Sequence, residues 1–184
     1  MPAALGGVIP NIAAAFRMRA EDLIAYDVSK DELGMTHVRY QQHKQGLRVV
    51  GGDLVVHLDA DGLVSAVTST ARDGIDLEPT PTVDLDRAIA TASAATAGGA
   101  VTVHGSDLVY LFASAGGAPY LAWEIELVGT REVVYDRVYV DARGGAVVDR
   151  HPDVFPIKNR EVFDAQGRSP PFFSSPGPRL ATEG

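Results

Sequence analysis

Leu33 to Val64 reads L-G-M-T-H-V-R-Y-Q-Q-H-K-Q-G-L-R-V-V-G-G-D-L-V-V-H-L-D-A-D-G-L-V. Thr36 to His43 alternates, with Val38 and Tyr40 on one face, the period of a half-buried strand. Leu47 to Leu58 is β-branched and aliphatic but interrupted by Gly51-Gly52, and a glycine pair inside a strand pattern implies a bulge or a sharp bend. Asp59-Ala60-Asp61-Gly62 then separates this run from Leu63 to Thr70, which alternates again. Asp-Gly between apolar runs is a hairpin signal, because glycine takes positive φ at little cost. A calcium loop of the EF-hand type would need a third Asp or Asn and a Glu at its twelfth position, and neither is present. The stretch therefore predicts antiparallel strands joined by tight turns.

The same reading extends outward. Glu78-Pro-Thr-Pro-Thr82 is a cluster of breakers that reads as a linker. Asp84 to Ala97 predicts a helix, with Asp84 as N-cap, Leu85, Ala88, Ile89 and Ala92 on one face, and Gly98-Gly99 as terminator. Strands are predicted at Asp107 to Ser114, Tyr120 to Val128, Val133 to Asp141 and Ala146 to Arg150, with turns at Gly116-Gly117 and Arg143-Gly144-Gly145. In the second of these, Trp123, Ile125 and Leu127 face one way, while Glu124 and Glu126 are expected on a wet face. In the third, Val134, Val138 and Val140 oppose Tyr135 and Tyr139. The fold class is α+β: two tandem small units, each an antiparallel sheet with one helix packed on it, then a Pro-rich tail. The expected boundaries are 1–78 and 83–150 for the two units, 79–82 for the linker, 151–158 for a junction and 159–184 for the tail.

The composition of the 184 residues, 46% apolar and 22% charged, is that of a globular chain. No apolar run approaches the roughly 20 residues of a membrane-spanning helix. A formal net charge of −8 argues against a nucleic-acid partner, since that grip rests on Lys and Arg at phosphates. The absence of cysteine excludes disulfides, thiolate metal sites and cysteine nucleophiles. Eight acids and one base, Arg72, lie between Asp53 and Asp86, whereas the region from Arg150 onward is slightly basic and carries six of the prolines. Met1 to Ala15 has no base before Arg17 and is broken by Gly6, Gly7 and Pro10, so it does not read as a secretory signal.

The residues assemble no catalytic site. The histidines His37, His43, His57, His104 and His151 include no H-E-x-x-H, and His37 and His43 lie too far apart along one strand to share a metal. There is no G-x-S-x-G, G-x-G-x-x-G or phosphate-binding loop. No catalytic, cofactor-binding or metal-ligating residue is assigned, and the chain on its own is not expected to be an enzyme.

Two blocks carry a family resemblance. Thr36, His37, Arg39 and Gln42 (T-H-x-R-x-x-Q), Gly46, Val49, Gly51, Gly52 and Leu54 (G-x-x-V-x-G-G-x-L) and the D-x-D-G turn resemble the fungalysin/thermolysin propeptide domain. The Ala-rich helix, L-A-W-E-I-E-L (Leu121 to Leu127) and Y-V-D-A-R-G-G-A-V-V-D-R (Tyr139 to Arg150) resemble the PepSY-type domain that follows it. The tail, N-R-E-V-F-D-A-Q-G and P-G-P-R-L-A-T-E-G within Asn159 to Gly184, resembles the first strands of the mature protease, departing from it by Phe163 in place of Tyr and by the Pro170 to Phe173 insertion. Together these imply the pro-region of a secreted or periplasmic thermolysin-like zinc metalloendopeptidase, ending just inside the mature enzyme. Such a segment is an intramolecular chaperone and inhibitor, its partner the cognate catalytic domain. Zinc, with calcium a further candidate, would belong to that domain.

The resemblance also places the processing and inhibitory junction at His151, Asp153, Val154, Phe155, Pro156 and Ile157, near the active-site cleft. His151 or Asp153 would approach the zinc, and cleavage would fall near Ile157. Contact surfaces are expected at Tyr135 and Tyr139, at Gln41 to His43 and in the acidic Asp53 to Asp86 stretch. The alternative is a free-standing PepSY-type binding module that regulates a peptidase in the cell envelope.

Overall fold

The computed structural model describes residues 5–96, 100–129 and 135–152, together with the backbone of 160–161 and 182–183. The fold is α+β. Its first half holds α1 (Ile9–Ala15), a short 3-10 turn, and strands β1 (Leu23–Lys30), β2 (Thr36–Lys44), β3 (Leu47–Leu58) and β4 (Val64–Ser69). The second half holds α2 (Leu85–Ala95), β5 (Val101–Leu111), β6 (Tyr120–Gly129), β7 (Tyr135–Asp141) and β8 (Val147–Pro152). The short segments β9 (Arg160–Glu161) and β10 (Thr182–Glu183) pair with each other.

The hairpins form where the turn residues demand them. Gln45 and Gly46, at φ +50° and +83°, join β2 to β3 with both central residues in the left-handed region, the turn whose twist matches paired strands. Between β3 and β4, the Asp59 side chain accepts from the amides of Asp61 (3.0 Å) and Leu63 (2.9 Å) and so shapes the turn from within. That is a hairpin role for the D-A-D-G string.

Helix α1 has no capping side chain and is too short to persist alone. Packing supplies what local propensity lacks: Ile9, Ile12 and Ala13, with Leu5, cover Leu23, Val38, Tyr40, Leu54, Val56 and Leu58 of the sheet. In α2, Asp84 is the N-cap, its carboxylate accepting from the Arg87 amide at 2.8 Å. Ala88 and Ala92 lie against Ile125, Leu127, Val138 and Val140. Small side chains let this helix sit close to its sheet. The predicted Gly98-Gly99 terminator lies outside the described residues.

Three expectations need correction. First, β5 begins at Val101 rather than Asp107 and ends at Leu111, with its register slipping between Val103 and Gly105. A bulge switches which residues face inward, so simple alternation fails across it. Second, β8 runs to Pro152, so His151 and Pro152 belong to the strand and not to the junction expected after Arg150. Third, Glu124 is not on a wet face: it is 5% exposed and lies in a charged layer described below.

The two halves share a strand. The sheet runs β1-β2-β3-β5-β6-β7-β8, with β4 also on β3. Opposite β2, the partner register jumps from Asp53 (Gln41) to Arg48 (His43), so Val49 to Gly52 swing out as an excursion facing the single residue Gln42. Val49 and Val50 then pair in parallel with Tyr110 and Leu111 of β5. Gly51, at φ +70°, makes the bend, and Gln41 Nε2 donates to the carbonyls of Val49 (2.9 Å) and Gly52 (3.0 Å), holding it. Val49 is buried with Tyr110, Leu121 and Ala142 of the second half, whereas Leu54, Val56 and Leu58 lie in the core of the first.

Candidate functional site

The expected junction residues divide in two. Asp153, Val154, Phe155, Pro156 and Ile157 lie outside the described residues. His151 is near the end of edge strand β8, paired with Arg137. Its ring stands edge-on to Tyr139 with centroids 5.2 Å apart, and its Nε2 lies 3.3 Å from Ser114 Oγ and 3.5 Å from Asp149 Oδ2. Ser, His and Asp meet here, yet not as a relay. Serine and carboxylate both address Nε2, whereas a general base needs them on opposite nitrogens of the ring. The Asp149 carboxylate accepts instead from the Ser114 amide at 2.6 Å, tying the loop after β5 to β8. Partial burial raises the pKa of Asp149, but the hydrogen bonds from Ser114 and the Arg150 amide and the nearby His151 outweigh that and hold it below the usual 3.8.

On the same face runs a charged layer that the sequence did not suggest. Arg48 of β3 meets Glu124 of β6 at 2.6 Å, and Arg137 of β7 lies 3.5 Å from Glu126 and 4.0 Å from Glu124. The alternation of acids with Trp123 and Ile125 hides this, because Arg48 arrives from the other half of the chain. Tyr139 lies under the layer, fully buried, its hydroxyl pKa raised by burial and by the Glu124 carboxylate. It therefore cannot serve as an exposed contact, contrary to expectation, and Gln42, at 4% exposure, cannot either. Beside Arg48 an open cleft of about 380 Å³ is lined by His43, Gly46, Leu47, Asp107, Leu108 and Val109.

On the opposite face, Asp136 of β7 is buried against Thr96 and the Arg150 guanidinium. Arg150 also reaches the Ala95 carbonyl at the end of α2 (3.4 Å), so one arginine ties β7, β8 and the helix together. The acidic stretch is largely solvated: Asp61, Asp73, Asp76, Glu78, Asp84 and Asp86 are exposed. Among the described residues no group of three or more His, Asp or Glu is arranged to hold a metal, and no helix is long and apolar enough to cross a membrane.

Edge strand β1 exposes Ile24, Tyr26 and Val28 by about half of each side chain. Beneath it, the sequence hallmarks of the first half resolve into structural roles. Gln42 donates from Nε2 to the Arg72 carbonyl (2.6 Å) and accepts the Arg72 amide at Oε1 (2.9 Å), so its amide pairs like a strand residue with the chain after β4. Gly52 gives this side chain room, since a Cβ there would lie 2.7 Å from Gln42 Oε1.

These hallmarks have a family meaning. Residues 21–71, which carry the T-H-x-R-x-x-Q and G-x-x-V-x-G-G-x-L patterns, match the model of the Fungalysin/Thermolysin Propeptide Motif. The transglutaminase-activating metalloprotease of Streptomyces mobaraensis is 38% identical over 60 residues, 33% of this chain and 8% of that protein. The chain thus matches only a small fraction of that relative's length. Among solved structures, the Bacillus megaterium YpeB C-terminal domain superposes with a TM-score of 0.45 at 14% identity, covering 73% of this chain and 57% of that one.

Proposed function

We propose that this chain is the pro-region of a secreted or periplasmic thermolysin-like metalloendopeptidase, acting as intramolecular chaperone and inhibitor of a zinc protease domain. The observation that carries this reading is the propeptide motif at residues 21–71. On this reading 83–150 is a PepSY-type unit, 151–158 the processing junction and 159–184 the start of the mature enzyme. The chain itself supplies no catalysis. Zinc would belong to the protease domain, which would be its partner.

Two physical features suit the role. Among the described residues β1 lies at the edge of the sheet, with Ile24, Tyr26 and Val28 exposed, a surface on which a protease domain can seat. His151, held by Tyr139, Ser114 and Asp149, fixes the end of β8 just before the proposed junction in sequence. Nanomolar inhibition in trans needs about 12 kcal/mol and an interface of roughly 1,600 Å². In a covalent precursor weaker contacts suffice, because effective concentration is high.

The test adds the purified chain to its cognate thermolysin-like protease domain and measures peptidase inhibition and refolding yield. Inhibition or an increased yield at micromolar chain is expected; if neither occurs, the reading fails.

A further inference from the structure

On the side of the first sheet away from α1, His37 of β2 and His57 of β3 are direct cross-strand partners. Their Nδ1 atoms lie 2.8 Å apart, and the rings stand edge to face with centroids 5.0 Å apart. The outer nitrogen of each ring is held as well. His37 Nε2 lies 3.1 Å from Asp31 Oδ2, and His57 Nε2 lies 3.2 Å from Thr68 Oγ1.

The acceptors fix the tautomers of the neutral pair. A carboxylate only accepts, so His37 carries its proton on Nε2 and turns a lone pair on Nδ1 toward His57. His57 then donates its Nδ1–H to His37, and its own Nε2 accepts from the Thr68 hydroxyl. Asp31 Oδ1 accepts from the Leu33 and Met35 amides, each at 2.9 Å, which fixes the carboxylate that orients His37. Arg39, the next cation along this face, is engaged by Asp27 at 3.7 Å.

Two imidazole nitrogens locked at this separation have the bite of a chelate. With metal–nitrogen bonds of about 2.0–2.1 Å, a right angle at the metal sets the nitrogens about 2.9 Å apart, whereas a tetrahedral angle needs about 3.3 Å. We propose that His37 and His57 form a two-histidine site for a divalent cation of tetragonal preference, Cu²⁺ ahead of Ni²⁺ and Zn²⁺, with water in the remaining positions. On binding, the two rings turn so that both Nδ1 lone pairs converge on the ion, and the His57 proton moves from Nδ1 to Nε2, from which Nε2–H donates a hydrogen bond to Thr68 Oγ1; no net proton is released from the neutral pair. Asp31 is the outer partner that orients a metal-bound histidine. The ion would clamp β2 to β3 and stabilise the fold in proportion to its occupancy. The site stands independently of the propeptide role.

Calorimetric titration of the untagged chain with CuCl₂ near neutral pH tests it. One Cu²⁺ per chain is expected, bound more tightly than Zn²⁺. His37→Gln and His57→Gln should each weaken it by at least tenfold, Asp31→Asn by about tenfold, and His104→Gln not at all. Should a histidine variant fail to fold, substoichiometric Cu²⁺ added to the unaltered chain should broaden the imidazole resonances of His37 and His57 before those of His43, His104 and His151. Broadening centred on another histidine or on the terminal amine overturns the proposal, as does binding that survives both glutamine substitutions.

Discussion

Arg48 and Glu124 meet across the seam between the two halves: Nη2 donates to Oε1 at 2.6 Å, although the residues stand 76 apart in sequence. The glutamate side chain is only 6% exposed and the arginine 32%, so the pair is far from the solvated kind that contributes little. Removing the arginine would leave a buried carboxylate with the more distant Arg137 as its cation and the Tyr139 hydroxyl beside it. We expect Arg48→Met to destabilise the chain by roughly 2–3 kcal/mol, and the double variant Arg48→Met/Glu124→Met to recover much of that loss. Urea denaturation of the two variants measures both effects.

The amide pairing of Gln42 with Arg72 depends on the absence of a side chain at residue 52. Gly52→Ala would place a methyl 2.7 Å from Gln42 Oε1 and 2.9 Å from its Cβ, and should cost about 1–3 kcal/mol through overpacking. Gln42→Ala removes the clamp itself, leaving the Arg72 backbone groups without their partner, at about 1–3 kcal/mol. In hydrogen exchange, the Arg72 amide should lose protection in both variants, whereas amides in α2 should keep theirs.

Helix α2 depends on Asp84. Replacing it with alanine frees the Arg87 amide and should cost about 1 kcal/mol, while serine or asparagine should preserve most of the stability. Thermal denaturation of the three variants ranks them.

Acid stability should respond to Asp149. Its pKa in the folded chain lies below 3.8, so its contribution is present above that pH and is lost as pH falls through the lower folded value. Asp149→Asn should therefore lower stability at neutral pH and flatten the decline below about pH 4. Denaturation midpoints measured from about pH 2.5 to about pH 7 would show no change in slope if the Ser114 contact contributed nothing.

The strands that alternate cleanly were legible in the sequence, and β3 matches its expected span, Leu47 to Leu58, residue for residue. The Gly51-Gly52 bend was legible as well, since glycine packs poorly inside a strand and marks the places where the backbone turns or bulges. What the bend accomplishes was not legible, because pairing of Val49 and Val50 with Tyr110 and Leu111 is a contact between distant segments with no local pattern. Burial of Glu124 and Tyr139 was hidden for the same reason: period-2 alternation assigns faces but does not reveal what covers them. Helix α1 was missed because tertiary packing, not capping or propensity, forms it. The propeptide hallmarks stood out as motifs, yet the site they build is structural in Gln42 and Gly52 and leaves His37 available for other chemistry.

Strand β3 gives the molecule a single point of failure. Its first residues fill one core and its last residues another, so one broken peptide bond between Val50 and Leu54 would withdraw side chains from both at once. Two separately closed units would each have to be attacked in turn. A body keyed together in this way can be dismantled by one cut, which would suit the pro-region proposed above.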